Sequence, residues 1–176
     1  VGYSKILNHI IAYHIHQDPC PMMIVQPTIE DATGYSKEEI APMLRDTPCL
    51  HGLVSEAKAK DGENTLLQKK FPGGTLGLVG ANSARGFRRV SRRIVLFDEV
   101  DGYPVGGAGT EGDQIKLGMK RAEWYWNKKI VAGSTPTVED FSRIEKLFKE
   151  SDQRRYYVPC PECGEMQYFV WFNIKW

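Results

Sequence analysis

Residues 94–99 read Ile94-Val95-Leu96-Phe97-Asp98-Glu99, a run of four apolar residues followed by two acids. Such a short apolar run is typical of a strand buried on both faces of a sheet. In the Walker B pattern, a strand of this kind delivers its first acid to the Mg²⁺ of a bound nucleotide. We therefore predict that Asp98 binds Mg²⁺ and that Glu99 orients and deprotonates the attacking water, since a carboxylate is ionised at neutral pH. The alternative is an ordinary strand that ends in a polar turn.

The rest of the chain alternates short apolar runs with helical patterns. Residues 22–25 and 129–132 predict two more buried strands, and two strand-like runs around residues 72–74 predict a hairpin. Apolar residues at three- and four-residue steps predict helices over 3–17, 30–46, 113–127 and 139–150. This alternation predicts an α/β fold with a mostly parallel sheet and flanking helices, in which ligands bind at the carboxyl ends of the strands.

The first predicted helix opens on Val1-Gly2-Tyr3-Ser4-Lys5. A phosphate-binding loop ends in Gly-Lys-Ser/Thr at a helix N-terminus, where backbone N–H groups hold phosphates and the hydroxyl binds Mg²⁺. Gly2 and Ser4 match this pattern, but Tyr3 occupies the place of the lysine, and Lys5 lies one residue beyond the hydroxyl. Taken alone, the segment is explained better by a helix that begins after a glycine.

The third apolar run leads into Gly133-Ser134-Thr135-Pro136-Thr137. Small hydroxyl residues at the end of a strand can sense a γ-phosphate through hydrogen bonds. Ser, Thr and Pro are also typical of the cap and turn that precede a helix. Taken alone, this second interpretation explains the segment better.

In their order along the chain, these segments resemble the large terminase subunits of lambda-like tailed phages, over essentially the whole sequence. The stretches that carry the resemblance are V-G-Y-S-K, I-V-L-F-D-E, G-S-T-P-T and Y-V-P-C-P-E-C-G. These subunits place the lysine at the start of the loop, so a tyrosine between Gly2 and Ser4 is compatible with the family. The resemblance implies an ASCE-type P-loop ATPase domain over residues 1–151, with the start of its loop upstream of Val1. It also implies a nuclease elsewhere in the full-length protein.

The resemblance assigns roles to particular residues. The ligands of nucleotide and Mg²⁺ would be Gly2, Ser4, Lys5 and Asp98, the catalytic carboxylate Glu99, and the residues that couple hydrolysis to movement Ser134 and Thr135. Gln26 begins a Gln-Pro-Thr stretch that resembles one in the family, and no role is assigned to it.

The activity implied by the resemblance is ATP hydrolysis that drives duplex DNA into a procapsid. The implied partners are duplex DNA, the terminase small subunit and the portal of the procapsid, with a homo-oligomer as the working motor in the host cytoplasm. Two other hypotheses stay open. One is a helicase-like DNA translocase, because residues 133–137 also resemble helicase coupling segments. The other is a non-catalytic zinc-ribbon module that binds nucleic acid and is carried on an inactive α/β scaffold.

A cluster of arginines precedes the strand at 94–97 and comprises Arg85, Arg88, Arg89, Arg92 and Arg93. An arginine finger would stabilise charge on the transferred phosphoryl group, within the chain or across a subunit boundary, and Arg88 is our choice for that role. Contact with DNA phosphates is a second hypothesis. A solvated loop without either role is the third.

The cysteines indicate half of a zinc site. Cys160 and Cys163 stand two residues apart before a glycine, so that both thiolates can reach one metal ion from a tight turn. Two further ligands do not follow before Trp176, and a thioredoxin-like redox pair would require a helix that the sequence does not predict. We therefore expect residues 152–176 to begin a small β-rich, zinc-ribbon-like module. Cys20 and Cys49 are isolated, which argues against a disulfide framework and favours a reducing setting.

The composition sets broad limits. A formal net charge of +1 excludes a strongly basic chain, so that DNA contacts would have to come from local clusters. No apolar run reaches the length of about 18 residues that a membrane span needs, and we expect no contact with a membrane. The chain begins at Val1 and stops at Trp176 within a strand-like run, so we expect it to be a fragment. A strand upstream of the phosphate-binding loop would be missing, which would expose a sheet edge, so we expect the isolated chain of 176 residues to have low solubility.

Overall fold

The computed structural model describes residues 2–54, 64–88, 90–107, 112–138 and 140–173. Its main sheet has five strands, β1 Pro21–Gln26, β2 Gln68–Phe71, β3 Gly74–Gly80, β4 Ile94–Phe97 and β5 Lys129–Ala132. Their order across the sheet is β2-β3-β1-β4-β5. Strands β3, β1, β4 and β5 run parallel, while β2 is antiparallel to β3. The predictions of a mostly parallel sheet and of a hairpin around residues 72–74 are confirmed.

Strand β4 lies inside the sheet, between β1 and β5. Met22 pairs with Ile94 on one side, and Ile94 pairs with Lys129 on the other. All four residues of β4 are buried, as the apolar run predicts. Strand β5 has a paired neighbour on one side only among the described residues, and its residues are half-buried or exposed. The prediction that β5 is a buried strand is therefore wrong, because an edge strand has one side open.

The helices flank the sheet. They are α1 Tyr3–His16, α2 Ile29–Tyr35, α3 Ala41–Asp46, α4 Gln114–Lys120 and α5 Arg143–Lys149. A π-helical turn at Ser36–Ile40 joins α2 to α3, so the predicted helix over residues 30–46 is continuous. This wider turn ends two residues before Pro42, which has no N–H with which to continue an α-helical ladder. Short 3₁₀ turns occupy Pro48–Leu50, Ala84–Phe87, Val100–Gly102 and Trp171–Asn173.

Apolar side chains cover both faces of the sheet. On one face, Leu7 and Ile11 of α1 pack in a cluster that contains Met22 and Ile24 of β1. On the other face, a second cluster contains the alternate residues of β1 and β4 together with Phe87, Tyr103 and Ile115. Because successive side chains of a strand point to opposite faces, burial on both sides explains the continuous apolar runs.

Two predicted helices are shorter in the structure. Helix α4 ends at Lys120, and Trp124 and Trp126 in the turns that follow are 87% and 95% exposed. The prediction of a helix over residues 113–127 is therefore wrong beyond Lys120. Helix α5 begins after Ser142, which caps it by accepting a hydrogen bond from Glu145 N. Of the predicted helix over 139–150, Glu139 lies outside the described residues.

The last part of the chain forms a small hairpin. Strands β6 Val158–Pro159 and β7 Met166–Gln167 pair antiparallel. The guanidinium of Arg155 lies 5.9 Å from the ring centroid of Phe148 in α5 and 4.8 Å from that of Tyr168, so it joins this hairpin to the larger unit. Within the described ranges, no helix has the length and apolar character that crossing a membrane requires.

Candidate active site

A cavity of about 580 Å³ opens at the carboxyl ends of β1 and β4, and we call it the carboxyl-edge cavity. Ser4 from the start of α1, Gln26 from the end of β1 and Glu99 from the end of β4 line it together. The remaining wall comes largely from α2 and the π-helical turn, which contribute four acids, Glu30, Asp31, Glu38 and Glu39. The structure thus brings together predicted residues from two segments that lie far apart in the sequence.

Asp98 is a buried carboxylate at this edge, with 4% of its surface exposed. Val25 and Phe97 are paired across β1 and β4, so the next residues along, Gln26 and Asp98, lie side by side. Gln26 Nε2 donates to Asp98 Oδ2 at 2.9 Å, while Asp98 Oδ1 is buried without a hydrogen-bond partner. Burial and, to a smaller extent, the charge of Glu99 raise the pKa of Asp98 above its ordinary value, although the bond from Gln26 opposes them. A buried carboxylate oxygen with no partner is suited to bind a cation.

Glu99 leaves the strand in a left-handed backbone conformation, with φ of 51°. This conformation is uncommon in residues other than glycine and often marks functional sites. The carboxylate lies on the cavity wall, and Ser134 Oγ is 3.4 Å from Glu99 Oε2. Glu99 is therefore held at the mouth of the cavity beside the predicted coupling segment.

Tyr3 explains how the start of α1 is held at this edge. Gly2 caps the helix with φ of 97°, a conformation that favours glycine. Tyr3 Oη donates to the carbonyl oxygen of Phe97 at 3.0 Å, and a Cβ added at Gly133 would lie 2.2 Å from the Tyr3 ring. Burial, followed by the charges of Asp98 and Glu99, raises the pKa of Tyr3. The residue in the position of the P-loop lysine therefore anchors α1 to the ends of β4 and β5.

Lys5 contacts the opposite wall of the carboxyl-edge cavity. Its Nζ forms an ion pair with Glu39, and Asn8 Nδ2 donates to the same carboxylate at 2.6 Å. The hydrogen bond from Lys5 is the main cause that lowers the pKa of Glu39. Tyr35 Oη donates to Asn8 Oδ1, which extends this network between α1 and α2. Lys5 thus lies near the predicted site with Glu39 as its partner.

The segment after β5 lies beside Glu99. Ser134 Oγ accepts a hydrogen bond from Asp101 N at 3.2 Å and lies 3.2 Å from the carbonyl oxygen of Thr135. The side chain of Thr135 is exposed. Of the two predicted coupling residues, Ser134 is therefore the one that the structure places against the candidate catalytic carboxylate.

The arginine cluster is divided between two places. Arg92 Nη1 donates to Thr75 Oγ1 at 2.5 Å, and Arg93 forms an ion pair with Asp18 just beyond the end of α1. Both contacts lie at the amino ends of the strands, so neither arginine lines the carboxyl-edge cavity of its own chain. Arg88 is exposed and follows the 3₁₀ turn after β3. Arg89 lies outside the described residues.

The cysteine pair forms a tight turn between β6 and β7. Cys160 N donates to the carbonyl oxygen of Glu165 at 2.8 Å, and Gly164 N donates to that of Cys160 at 2.9 Å. Backbone N–H groups of Cys163 and then Glu162 lower the pKa of the Cys160 thiol. No group of three or more metal-ligating side chains occurs in the part of the chain that the structure describes. The zinc-ribbon module is thus represented by a hairpin with two cysteines and is not shown as a metal site.

A family model described as the ATPase domain of the phage terminase large subunit gpA matches residues 1–176. The chain belongs to this family. Two curated relatives are similar to this terminase ATPase domain, the "Terminase, large subunit" of Enterobacteria phage P21 and that of Escherichia phage lambda. Each is 34% identical over 184 residues, which cover 100% of this chain and 28% of the relative. The chain therefore spans under a third of the length of these relatives.

Solved structures show the same fold. The large terminase of bacteriophage HK97 is similar with a TM-score of 0.63 and 15% identity, over 85% of this chain and 30% of that one. The ATPase domain of the large terminase of Thermus phage P74-26 is similar with a TM-score of 0.50 and 14% identity, over 96% of this chain and 68% of that one. At these identities the similarity concerns the fold alone.

Three residues of this terminase ATPase domain have contacts that the sequence pattern does not reveal. Gln26 bonds the buried Asp98, Tyr3 bonds the end of β4, and Asp101 bonds the segment after β5. The position of Gln26 at the end of a buried strand was the one available signal. The other two contacts depend on which strands are neighbours.

Proposed function

We propose that this terminase ATPase domain hydrolyses ATP at the carboxyl-edge cavity with an ASCE-type P-loop fold, and that the full-length protein uses this hydrolysis to drive duplex DNA into a procapsid. The observation that carries the proposal is the unpaired, buried Oδ1 of Asp98 beside Glu99 at the end of a central strand. In open α/β sheets, ligands bind at this edge. The membership of the terminase family supports the assignment.

The proposal gives each group at the cavity a task. Mg²⁺ would be held by Asp98 and the Ser4 hydroxyl, where it would neutralise charge on the phosphates. The backbone N–H groups at the start of α1, after Gly2, bind phosphate oxygens, and Lys5 adds positive charge beside them. Gln26 keeps the Asp98 carboxylate in one orientation through its bond to Oδ2.

Glu99 acts as the general base. Its carboxylate takes a proton from the water that attacks the γ-phosphate, and the oxygen of that water becomes part of the released phosphate. Ser134 responds to the release of the γ-phosphate, because its hydroxyl lies 3.4 Å from Glu99 Oε2. The chain leads from Ser134 to α5, so a movement of Ser134 is passed toward that helix. Thr135, which is exposed beside it, completes the coupling pair.

We infer that the working motor is a homo-oligomer that acts with the terminase small subunit and the portal in the host cytoplasm. None of the described residues that line the carboxyl-edge cavity is an arginine. An arginine finger from a neighbouring subunit would supply the missing positive charge, and Arg88, which is exposed, is the candidate.

ATP hydrolysis by the full-length protein, with and without linear duplex DNA, tests the proposal. We expect Glu99→Gln to lower kcat by about a hundredfold or more, the effect of a lost general base. Glu38→Gln is the matched control, since Glu38 lines the same cavity from the π-helical turn and has no proposed role. Equal rates for the wild-type protein and Glu99→Gln, or no hydrolysis by the wild type, would show that the Walker B assignment is wrong.

We also infer that residues 152–176 begin a zinc-ribbon-like module in which Cys160 and Cys163 bind Zn²⁺ with two ligands from elsewhere in the full-length protein. The turn geometry and the lowered pKa of Cys160 support this, because metal binding requires thiolates. We expect Cys163→Ser to abolish bound zinc in the purified full-length protein, measured by metal analysis, while Cys49→Ser leaves it unchanged. Zinc-free wild-type protein would contradict the inference.

A further inference from the structure

Asp101 lies two residues beyond Glu99, in the 3₁₀ turn Val100–Gly102, and its carboxylate joins two segments. Asp101 Oδ2 accepts hydrogen bonds from Thr137 N at 3.1 Å and Thr137 Oγ1 at 3.2 Å. Asp101 Oδ1 accepts from Ile144 N, in the first turn of α5, at 2.9 Å. One side chain therefore ties the end of the coupling segment to the start of a helix.

The backbone of the same residue reaches toward the candidate catalytic carboxylate. Asp101 N donates to Ser134 Oγ at 3.2 Å, and Ser134 Oγ lies 3.4 Å from Glu99 Oε2. Partial burial alone would raise the pKa of Asp101. Hydrogen bonds from Ser142, Ile144 and Thr137 outweigh it and hold the pKa below its ordinary value, so the side chain is a carboxylate at neutral pH.

The path continues through α5 to the β6–β7 hairpin. Phe148, near the end of α5, contacts the guanidinium of Arg155, which in turn lies 4.8 Å from the ring centroid of Tyr168. A second anchor, Arg143, donates from α5 to the carbonyl oxygen of Pro104. The polar contacts of Asp101 thus reach both Ser134 and α5.

We propose that Asp101 is a positioning residue that transmits the state of Glu99 and Ser134 to helix α5. The inference rests on the proposed ATPase function and adds the route by which hydrolysis reaches the rest of the protein. When the γ-phosphate leaves, any shift of Ser134 changes the hydrogen bond to Asp101 N and moves the carboxylate that holds Thr137 and Ile144. Contacts that connect two sites show energetic coupling only if removing one of the contacts makes the two sites independent of each other.

Hydrogen exchange of the full-length protein tests this route. The amides of residues 140–150 are followed with and without a non-hydrolysable ATP analogue and Mg²⁺, in the wild type, Asp101→Asn and Asp113→Asn. In Asp101→Asn, one acceptor oxygen becomes an amide nitrogen that cannot accept from Thr137 N or Ile144 N. Asp113→Asn is the matched control, because Asp113 caps α4 by accepting from Lys116 N and lies outside the route.

We expect the analogue to slow exchange in residues 140–150 of the wild type and Asp113→Asn by about tenfold, a typical coupling between sites, and to leave Asp101→Asn within about twofold. DNA-stimulated kcat should fall about tenfold in Asp101→Asn while KM for ATP changes by less than about threefold. Asp101→Asn should still fold, since Arg143 and the apolar face of α5 remain in place.

The outcomes separate the two proposals. Nucleotide-dependent protection that is equal in the wild type and Asp101→Asn would overturn the positioning role and leave the ATPase proposal standing. Parallel losses in Asp101→Asn and Asp113→Asn would also overturn it, since they would indicate a general effect of removing a helix cap. Failure of the wild type to bind the analogue, measured by calorimetry, would overturn the ATPase proposal and this inference with it.

Discussion

Replacing Asp98 by asparagine should stabilise the nucleotide-free protein while it abolishes activity. Asp98 is 4% exposed, and one carboxylate oxygen has a bond from Gln26 while the other has no partner. An amide keeps the bond to Gln26 through its oxygen, while its Nδ2 takes the place of Oδ1 without a partner. An unsatisfied neutral group costs less to bury than an unsatisfied charged one, and for this difference we expect a gain of about 1 kcal/mol at pH 7. For a chain of this size, that corresponds to a rise in Tm of about 2–4 °C.

The pH dependence of this gain identifies its cause. The folded-state pKa of Asp98 is raised, chiefly by burial, so the folded state holds this proton more tightly than the unfolded state does. The protonated carboxyl therefore stabilises the folded state at pH values below the pKa that Asp98 has in the unfolded chain. This stabilisation is lost as the pH rises through the pKa that Asp98 has in the folded state. The advantage of Asp98→Asn should be present at pH 7 and should shrink as the pH falls through the raised folded-state pKa of Asp98.

Thermal unfolding with and without Mg²⁺ and an ATP analogue measures both effects. Ligand that binds only the folded state raises Tm, so the wild type should gain stability on addition and Asp98→Asn should gain much less. Asp113→Asn is the control, since asparagine caps a helix about as well as aspartate. A Tm for Asp98→Asn at or below that of the wild type at pH 7 without ligand, or a gain that persists unchanged at low pH, would refute the reasoning.

Two further predictions follow from single contacts. Gln26→Leu removes the donor that orients Asp98 and should raise KM for ATP with Mg²⁺ by about tenfold, as expected for the loss of a group that orients a metal ligand. A smaller effect on steady-state KM than on kcat would contradict that role. Gly133→Ala places a Cβ 2.2 Å from the Tyr3 ring and should cost about 1–3 kcal/mol in unfolding free energy. Gly34→Ala in helix α2 is the comparison: the added Cβ has open space around it, so this variant should be more stable by about 0.5–1 kcal/mol. Equal denaturation midpoints for the two alanine variants would contradict the predicted clash between residue 133 and the Tyr3 ring.

The elements with the strongest local patterns were predicted well. Helix α1, strand β4 and the hairpin of β2 and β3 lie where apolar spacing and the Pro-Gly-Gly turn place them. These patterns are local consequences of burial, since one face of a helix or both faces of an inner strand must be apolar. The weaker predictions lie where burial is incomplete. Strand β5 is half-exposed at the edge, and α4 ends before the exposed Trp124 and Trp126.

The candidate site was predicted in part. The carboxyl-edge cavity brings Ser4 and Glu99 together, as expected from residues at strand ends and at the start of the first helix. The arginine cluster shows why a group of charged residues in the sequence is insufficient to locate an active site. Arg92 and Arg93 precede β4 in the sequence and therefore lie at its amino end, where they bond Thr75 and Asp18.

By itself, the sequence determined which kinds of secondary structure form and that two acids follow β4. It also determined the resemblance to the terminase family. Each of these features is encoded by a few adjacent residues. Tertiary structure alone decided that Gln26 bonds Asp98 across 72 positions and that Asp101 reaches Ile144 across 43. The physical reason is that contacts between distant residues depend on strand order and register. Both are set by how all the apolar faces pack together, so no single stretch of sequence encodes them.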